Sequence, residues 1–190
     1  MKMPSLSAAL VLSLGLFAAP AIALEAGGIR FADVVSVGGT ELQANGAGVR
    51  TKFVFDVYAI ALYLPAKAGS LDAAAKGPRR VTIHLMRDVK RIDFVAALQD
   101  GLKANVAEAE LAALAPQVQQ FAALIGGEGE VTKGTTVTID DLPGTGTRVS
   151  IGGQPQGKDI TGEKFFGALL RVWLGDKPAQ ADLKARLLGK

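Results

Sequence analysis

Residues 49–64 read Val49-Arg50-Thr51-Lys52-Phe53-Val54-Phe55-Asp56-Val57-Tyr58-Ala59-Ile60-Ala61-Leu62-Tyr63-Leu64, and their reading decides the fold. The run is rich in β-branched and aromatic side chains, which suit a pleated, half-buried strand. Asn45-Gly46-Ala47-Gly48 reads as a break before it and Pro65 ends it. Periodicity alone also allows a helix over so apolar a run, but the flanking Gly and Pro favour strand. On strand alternation Arg50, Lys52, Val54, Asp56 and Tyr58 share one face, unless a bulge or turn near Phe53 interrupts it.

Further strands follow on both sides. Residues 29–37 are rich in Val, Ile and Phe, and Gly38-Gly39 is a hairpin dipeptide leading to a return strand at 40–43. Val81, Ile83 and Leu85 alternate with Thr82, His84 and Met86. The middle of the chain turns helical. Phe94, Leu98 and Leu102 recur at four-residue spacing, and Asn105 ends that run. Leu111, Leu114, Val118, Phe121 and Ile125 form the clearest helical stripe. Pro116 inside it predicts either a kink or the first turn of a second segment; Gly126-Gly127 predicts the stop. Residues 135–140 and 148–151 alternate again around the turn Pro143-Gly144-Thr145-Gly146. Thr161 is the expected N-cap of a helix over 162–174, with Phe165, Leu169, Val172 and Trp173 on its apolar side and Gly175 after it. A short helix follows Pro178, with Leu183, Leu187 and Leu188 inward. The pattern predicts one α+β domain, an antiparallel sheet with helices packed on one side.

Composition removes whole classes of chemistry. The 190 residues contain 23 Gly, 8 Pro, one His and no Cys. That excludes disulfides, thiolate nucleophiles, Fe–S sites and cysteine lipidation, and a histidine-rich metal site has no ligands. No metal or cofactor is expected. Lys2 precedes an apolar stretch over 6–19, followed by Pro20 and the small-x-small triplet Ala21-Ile22-Ala23. This is the pattern of a secretory signal over 1–23 with a domain over 24–190, and it predicts a periplasmic or secreted protein without a stable membrane anchor. Loss of Lys2 leaves 20 basic against 18 acidic residues, a charge of +2. With aromatics at 6% and no basic stripe, nucleic acid is not an expected partner.

Few side chains are left to carry chemistry. His84 falls opposite Val81, Ile83 and Leu85, as a half-exposed strand residue does. Asp140 and Asp141, adjacent in a strand, point to opposite faces and share neither a proton nor a metal. Gly46-Ala47-Gly48 is not followed by a helix, which argues against a phosphate cradle. Arg50 stands apart. Together with Tyr58 it would offer a guanidinium fork and a phenol, which suit a carboxylate or a polarised carbonyl. The same Arg equally fits an edge residue paired with a surface acid.

Gly46-Ala47-Gly48-Val49-Arg50 followed by residues 57–64 resembles the chalcone isomerase superfamily, and in particular its bacterial, secreted chalcone isomerase-like proteins. Met86-Arg87-Asp88-Val89, the 143–147 turn and residues 165–175 continuing to Gly189 follow in the matching order. The resemblance implies an open-faced β-sandwich, a large antiparallel sheet covered by a helical layer with a ligand cleft between them. The superfamily's enzymes close 2′-hydroxychalcones to flavanones, and their Arg corresponds to Arg50, a preorganised cation. Their strand Thr falls at Tyr58 and their late-helix Ser/Thr at Phe166, so bulk replaces small hydroxyls. The fatty-acid-binding members carry an Arg with a Tyr, as Arg50 and Tyr58 do here. The resemblance therefore implies a non-catalytic binder of a small apolar ligand such as a fatty acid, with Val54, Tyr63, Leu98, Phe166 and Leu169 as walls and Arg87 as a second cation. Two alternatives stand beside it: an intramolecular lyase acting on chalcone-like enones with Arg50 as its catalytic residue, and a structural or interaction protein that uses the fold without a ligand.

Overall fold

The computed structural model describes residues 24–190. The expected export signal over 1–23 lies outside the described residues. The centre is a seven-stranded antiparallel sheet in the order β11-β10-β9-β6-β5-β4-β3. Its strands are β3 (Val34–Val37), β4 (Thr40–Lys52), β5 (Phe55–Leu64), β6 (Arg79–Leu85), β9 (Thr136–Leu142), β10 (Gly146–Ile151) and β11 (Gln154–Pro155). Two short hairpins flank it: β1 (Leu24–Ala26) with β2 (Ile29–Phe31), and β7 (Val89–Lys90) with β8 (Glu130–Val131). The helices are α1 (Leu71–Ala74), α2 (Arg91–Asn105), α3 (Glu108–Ala113), α4 (Ala115–Ile125), α5 (Lys164–Leu174) and α6 (Ala181–Leu187).

Strand alternation splits the apolar residues into two cores. Ile60, Leu62, Leu64, Val81, Ile83, Val137 and Ile139 face the helical layer and pack against α2, α4, α5 and α6. Ala59, Ala61 and Tyr63 point the other way, into a smaller core with Phe31, Leu42 and Ala44 beneath the β1–β2 hairpin. The helical layer thus covers one face, as expected. The second face is partly covered by a hairpin that the sequence pattern did not predict.

Four local expectations need correction. Residues 49–64 are not one strand: β4 and β5 form a hairpin that turns at Phe53-Val54. Asn45-Gly46-Ala47-Gly48 is no break, because it lies inside β4. Added Cβ atoms at Gly46 and Gly48 would sit 2.0 Å from the Arg186 carbonyl oxygen and 2.7 Å from Leu183 Cδ1. These glycines therefore let α6 lie directly on the strand. Residues 29–37 are two strands parted at Ala32-Asp33. Thr161 is not an N-cap, since α5 starts at Lys164 with Glu163 before it. Ile160 is tied to Thr147 by backbone hydrogen bonds of 2.8 Å in both directions, and Gly162 turns with φ +108°, so the helix begins only beyond them. Pro116 takes the first-turn alternative, inside the start of α4.

Candidate functional site

Arg50 and Tyr58 are cross-strand partners on β4 and β5. They do share a face, as expected, but through pairing across the hairpin and not along one strand. The register shifts between Arg50 and Thr51. That irregularity is held by Gln180, which immediately precedes α6. Its side-chain Oε1 accepts from the Thr51 backbone N–H (2.9 Å) and from Arg50 Nη1 (3.1 Å). Arg50 Nη1 also donates to the Thr51 carbonyl. Among the described residues Arg50 forms no ion pair. Asp56, a conceivable partner, accepts instead from the Thr51 hydroxyl at 2.9 Å.

Tyr58 faces α5. Its phenol oxygen accepts from the Trp173 indole N–H at 3.0 Å. Burial pushes the Tyr58 phenol above its ordinary value of 10.0, and the Trp173 hydrogen bond and the Arg50 charge offset part of that rise. The phenol therefore stays protonated at neutral pH. Its oxygen accepts from the indole, so its own proton can be donated into the cleft.

Between the sheet and the helices Arg50 and Tyr58 border a cleft of about 390 Å³. Phe94, Ala97 and Leu98 of α2 and Val172 of α5 supply its apolar wall. The floor of the helical layer is tight: an added Cβ at Gly101 would stand 2.7 Å from Val172, so glycine there lets α2 and α5 cross closely. The volume lies in the range of about 300–1,000 Å³ typical of small-molecule sites. A larger groove, about 660 Å³, lies around Arg79, Asn105, Glu163 and Arg171. Its two arginines are already engaged, Arg79 with Asp141 and Arg171 with Glu110, and of its lining cations Lys164, next to Glu163 in sequence, is the one that forms no ion pair among the described residues.

The predicted site residues divide. Arg50, Tyr58 and Leu98 meet at the cleft. Val54 does not line it, because it is 84% exposed at the hairpin turn. Tyr63 is buried in the smaller core on the opposite face of the sheet, since it alternates with Ala59 and Ala61 on the side of β5 away from the helices. Phe166 and Leu169 are buried within the helical core, and Phe166 packs under the Arg79 guanidinium at 4.9 Å. Arg87 lines an adjoining groove, where it lies 4.9 Å over the Phe55 ring. His84 is a half-buried strand residue within 3.2 Å of the Thr136 hydroxyl. Asp140 and Asp141 point to opposite faces as expected, and each carries an ion pair, with Arg80 and Arg79 respectively. Trp173 and Gln180 were not foreseen as site residues. Trp173 reads as one more apolar position of α5, and Gln180 carries no local signal at all.

Family comparison fits this architecture. A chalcone isomerase-like family model matches residues 23–189, and the chain belongs to that family. No curated protein sequence matches it. Among solved structures it is similar to the Arabidopsis thaliana fatty-acid binding protein AtFAP1, at 16% identity and a TM-score of 0.64, covering 85% of this chain and 92% of that one. At that identity the likeness establishes the shared fold.

Proposed function

We propose that this protein is a non-catalytic carrier of a small apolar acid, fatty-acid-like in chemistry. The reading rests above all on Arg50 and Tyr58, a cation that forms no ion pair among the described residues beside a phenol, at a cleft walled by Phe94, Leu98 and Val172 whose other charged lining residues are Lys52, Asp100 and Lys177. Arg50 meets the carboxylate charge, Tyr58 donates its proton to one oxygen, and Phe94, Leu98 and Val172 cover the tail. A structural relative described as a fatty-acid binding protein supports the same reading. The apolar stretch over 6–19 and the Ala21-Ile22-Ala23 triplet support action outside the cytoplasm.

An enone-cyclising role would use Arg50 to polarise a carbonyl. The Trp173 indole N–H is already given to the Tyr58 oxygen, and Tyr58 and Phe166 stand as bulk where the resemblance places the enzymes' small hydroxyls. The carrier reading is therefore preferred. Titration of palmitate and of its methyl ester into the purified protein tests it. Arg50→Ala should weaken palmitate binding by about 10- to 100-fold, the worth of a charge-assisted hydrogen bond, while binding of the ester changes little. Equal palmitate affinity in wild type and Arg50→Ala overturns the carrier reading. So does turnover of 2′-hydroxychalcone above the spontaneous rate that Arg50→Ala abolishes.

A further inference from the structure

The β4–β5 hairpin ends in three consecutive large apolar residues, Phe53, Val54 and Phe55, which are 89%, 84% and 56% exposed. A hairpin turn needs none of this: Gly, Asn and Asp serve such positions with less steric cost. Phe53 also has φ +57°, and among the described residues it is the one non-glycine with positive φ. An aromatic residue in the left-handed region pays backbone energy. Phe53 recovers none of it through packing, since its ring is almost wholly in water. Local preference and burial thus both oppose the residue found there, and such conflicts mark positions set by something other than the fold.

We propose that this tip dips into a lipid bilayer and sets the mouth of the cleft against the membrane surface. Two features select a bilayer as the occupant. First, Lys52 directly precedes Phe53 and is exposed, and the Arg87 guanidinium lies over the Phe55 ring. Asp56 directly follows Phe55 and is exposed too, its carboxylate accepting from the Thr51 hydroxyl, and Asp88, Asp93 and Glu130 line the adjoining groove with Lys90. The tip is thus an apolar triplet flanked by charge of both signs, with a cation stacked on one of its rings. Aromatic and aliphatic side chains beside Lys and Arg suit an interfacial membrane contact. Second, the groove beside the tip, about 410 Å³, adjoins the Arg50 cleft, the two sharing Lys52, Val57, Tyr58, Phe94 and Ala97. An amphiphile leaving the bilayer would reach Tyr58 along that groove.

Docking and ligand binding are separate readouts, and either can fail alone. The test is co-sedimentation of protein expressed from the full-length sequence with vesicles of phosphatidylethanolamine and phosphatidylglycerol, comparing wild type with Phe53→Asn/Phe55→Ser. Both proteins share the same N-terminus, so any contribution of residues 1–23 is common to both. Asn accepts the left-handed backbone better than Phe, so Phe53→Asn alone should keep or raise the Tm and the double variant should stay folded. Wild type should bind, and the double variant should bind about tenfold or more weakly, as expected when two rings no longer enter the interface. Absence of wild-type binding, or equal binding by the variant, overturns the proposal. A lower Tm in Phe53→Asn would show the ring packed on the domain and would also overturn it. Self-association that the double variant abolishes, without vesicle binding, would assign the tip to a second copy of the chain instead.

Discussion

The hydrogen bond between Trp173 and Tyr58 has a fixed direction, because an indole N–H can only donate. Trp173 is 1% exposed, so its N–H depends on the phenol oxygen for a partner. Tyr58→Phe leaves that buried donor unpaired and should cost about 1–3 kcal/mol, more than the bond's net contribution of about 1 kcal/mol. Trp173→Phe removes the donor and some packing together. Urea unfolding of both single variants and the double variant should give a coupling of about 1 kcal/mol between the two positions. Additive losses would show that the pair is not bonded. Trp173 is the only Trp in the chain. Its emission therefore reports on the cleft, and Tyr58→Phe should shift it.

The motif Gly46-Ala47-Gly48-Val49-Arg50 is intelligible only at the scale of elements. Gly46 and Gly48 make room for α6 on the helix-facing side of β4, and that contact brings Gln180 to Arg50. The Asn45 side chain completes the seam by donating to the Leu187 carbonyl at 2.7 Å. A methyl group at position 46 would meet backbone, not a flexible side chain, so α6 must shift. Gly46→Ala should cost about 1–3 kcal/mol and weaken palmitate binding by loosening the Gln180 contact. Gly167, inside α5, has nothing within 4 Å of its added Cβ. There the helix-propensity gain dominates, and Gly167→Ala should add about 0.5–1 kcal/mol. Urea midpoints moving in opposite directions would confirm both; equal shifts would contradict the seam. The same contrast explains what the sequence concealed. Alternation at Val81, Ile83 and Leu85 and the stripe from Leu111 to Ile125 are local signals, and those elements were readable. Arg50 and Tyr58 were found as a pair because both stand out chemically against an apolar run. A glycine run inside a strand reads as a break because its cause, α6, lies about 140 positions further along. Gln180 was invisible for the same reason, bonding Thr51 across 129 positions. The turn at Phe53-Val54 carries none of the residues that ordinarily announce one.

Across the whole molecule, the two tyrosines report on the two faces of one sheet. Tyr58 packs against the helical layer and Tyr63 lies in the smaller core under the β1–β2 hairpin. The chain has no other tyrosine. Burial is the main cause of the raised value in both: Tyr58 moves upward from 10.0, and Tyr63 is pushed up to about 12, Arg80 opposing that rise and Asp33 adding to it. In the unfolded chain both phenols ionise near 10. The folded state therefore binds protons that the unfolded state has already lost above that pH. The corresponding stability is complete below pH 10 and is lost as pH rises from there to about 12. If the two cores unfold as one cooperative unit, phenolate absorbance from both tyrosines should rise together in a single step, coincident with the loss of far-ultraviolet circular dichroism. In denaturant both should titrate near 10 instead. Tyr58→Phe separates the contributions by halving the absorbance step while leaving its coincidence with unfolding intact. Ionisation of Tyr63 well before unfolding would instead mean that the β1–β2 hairpin opens independently of the helical layer.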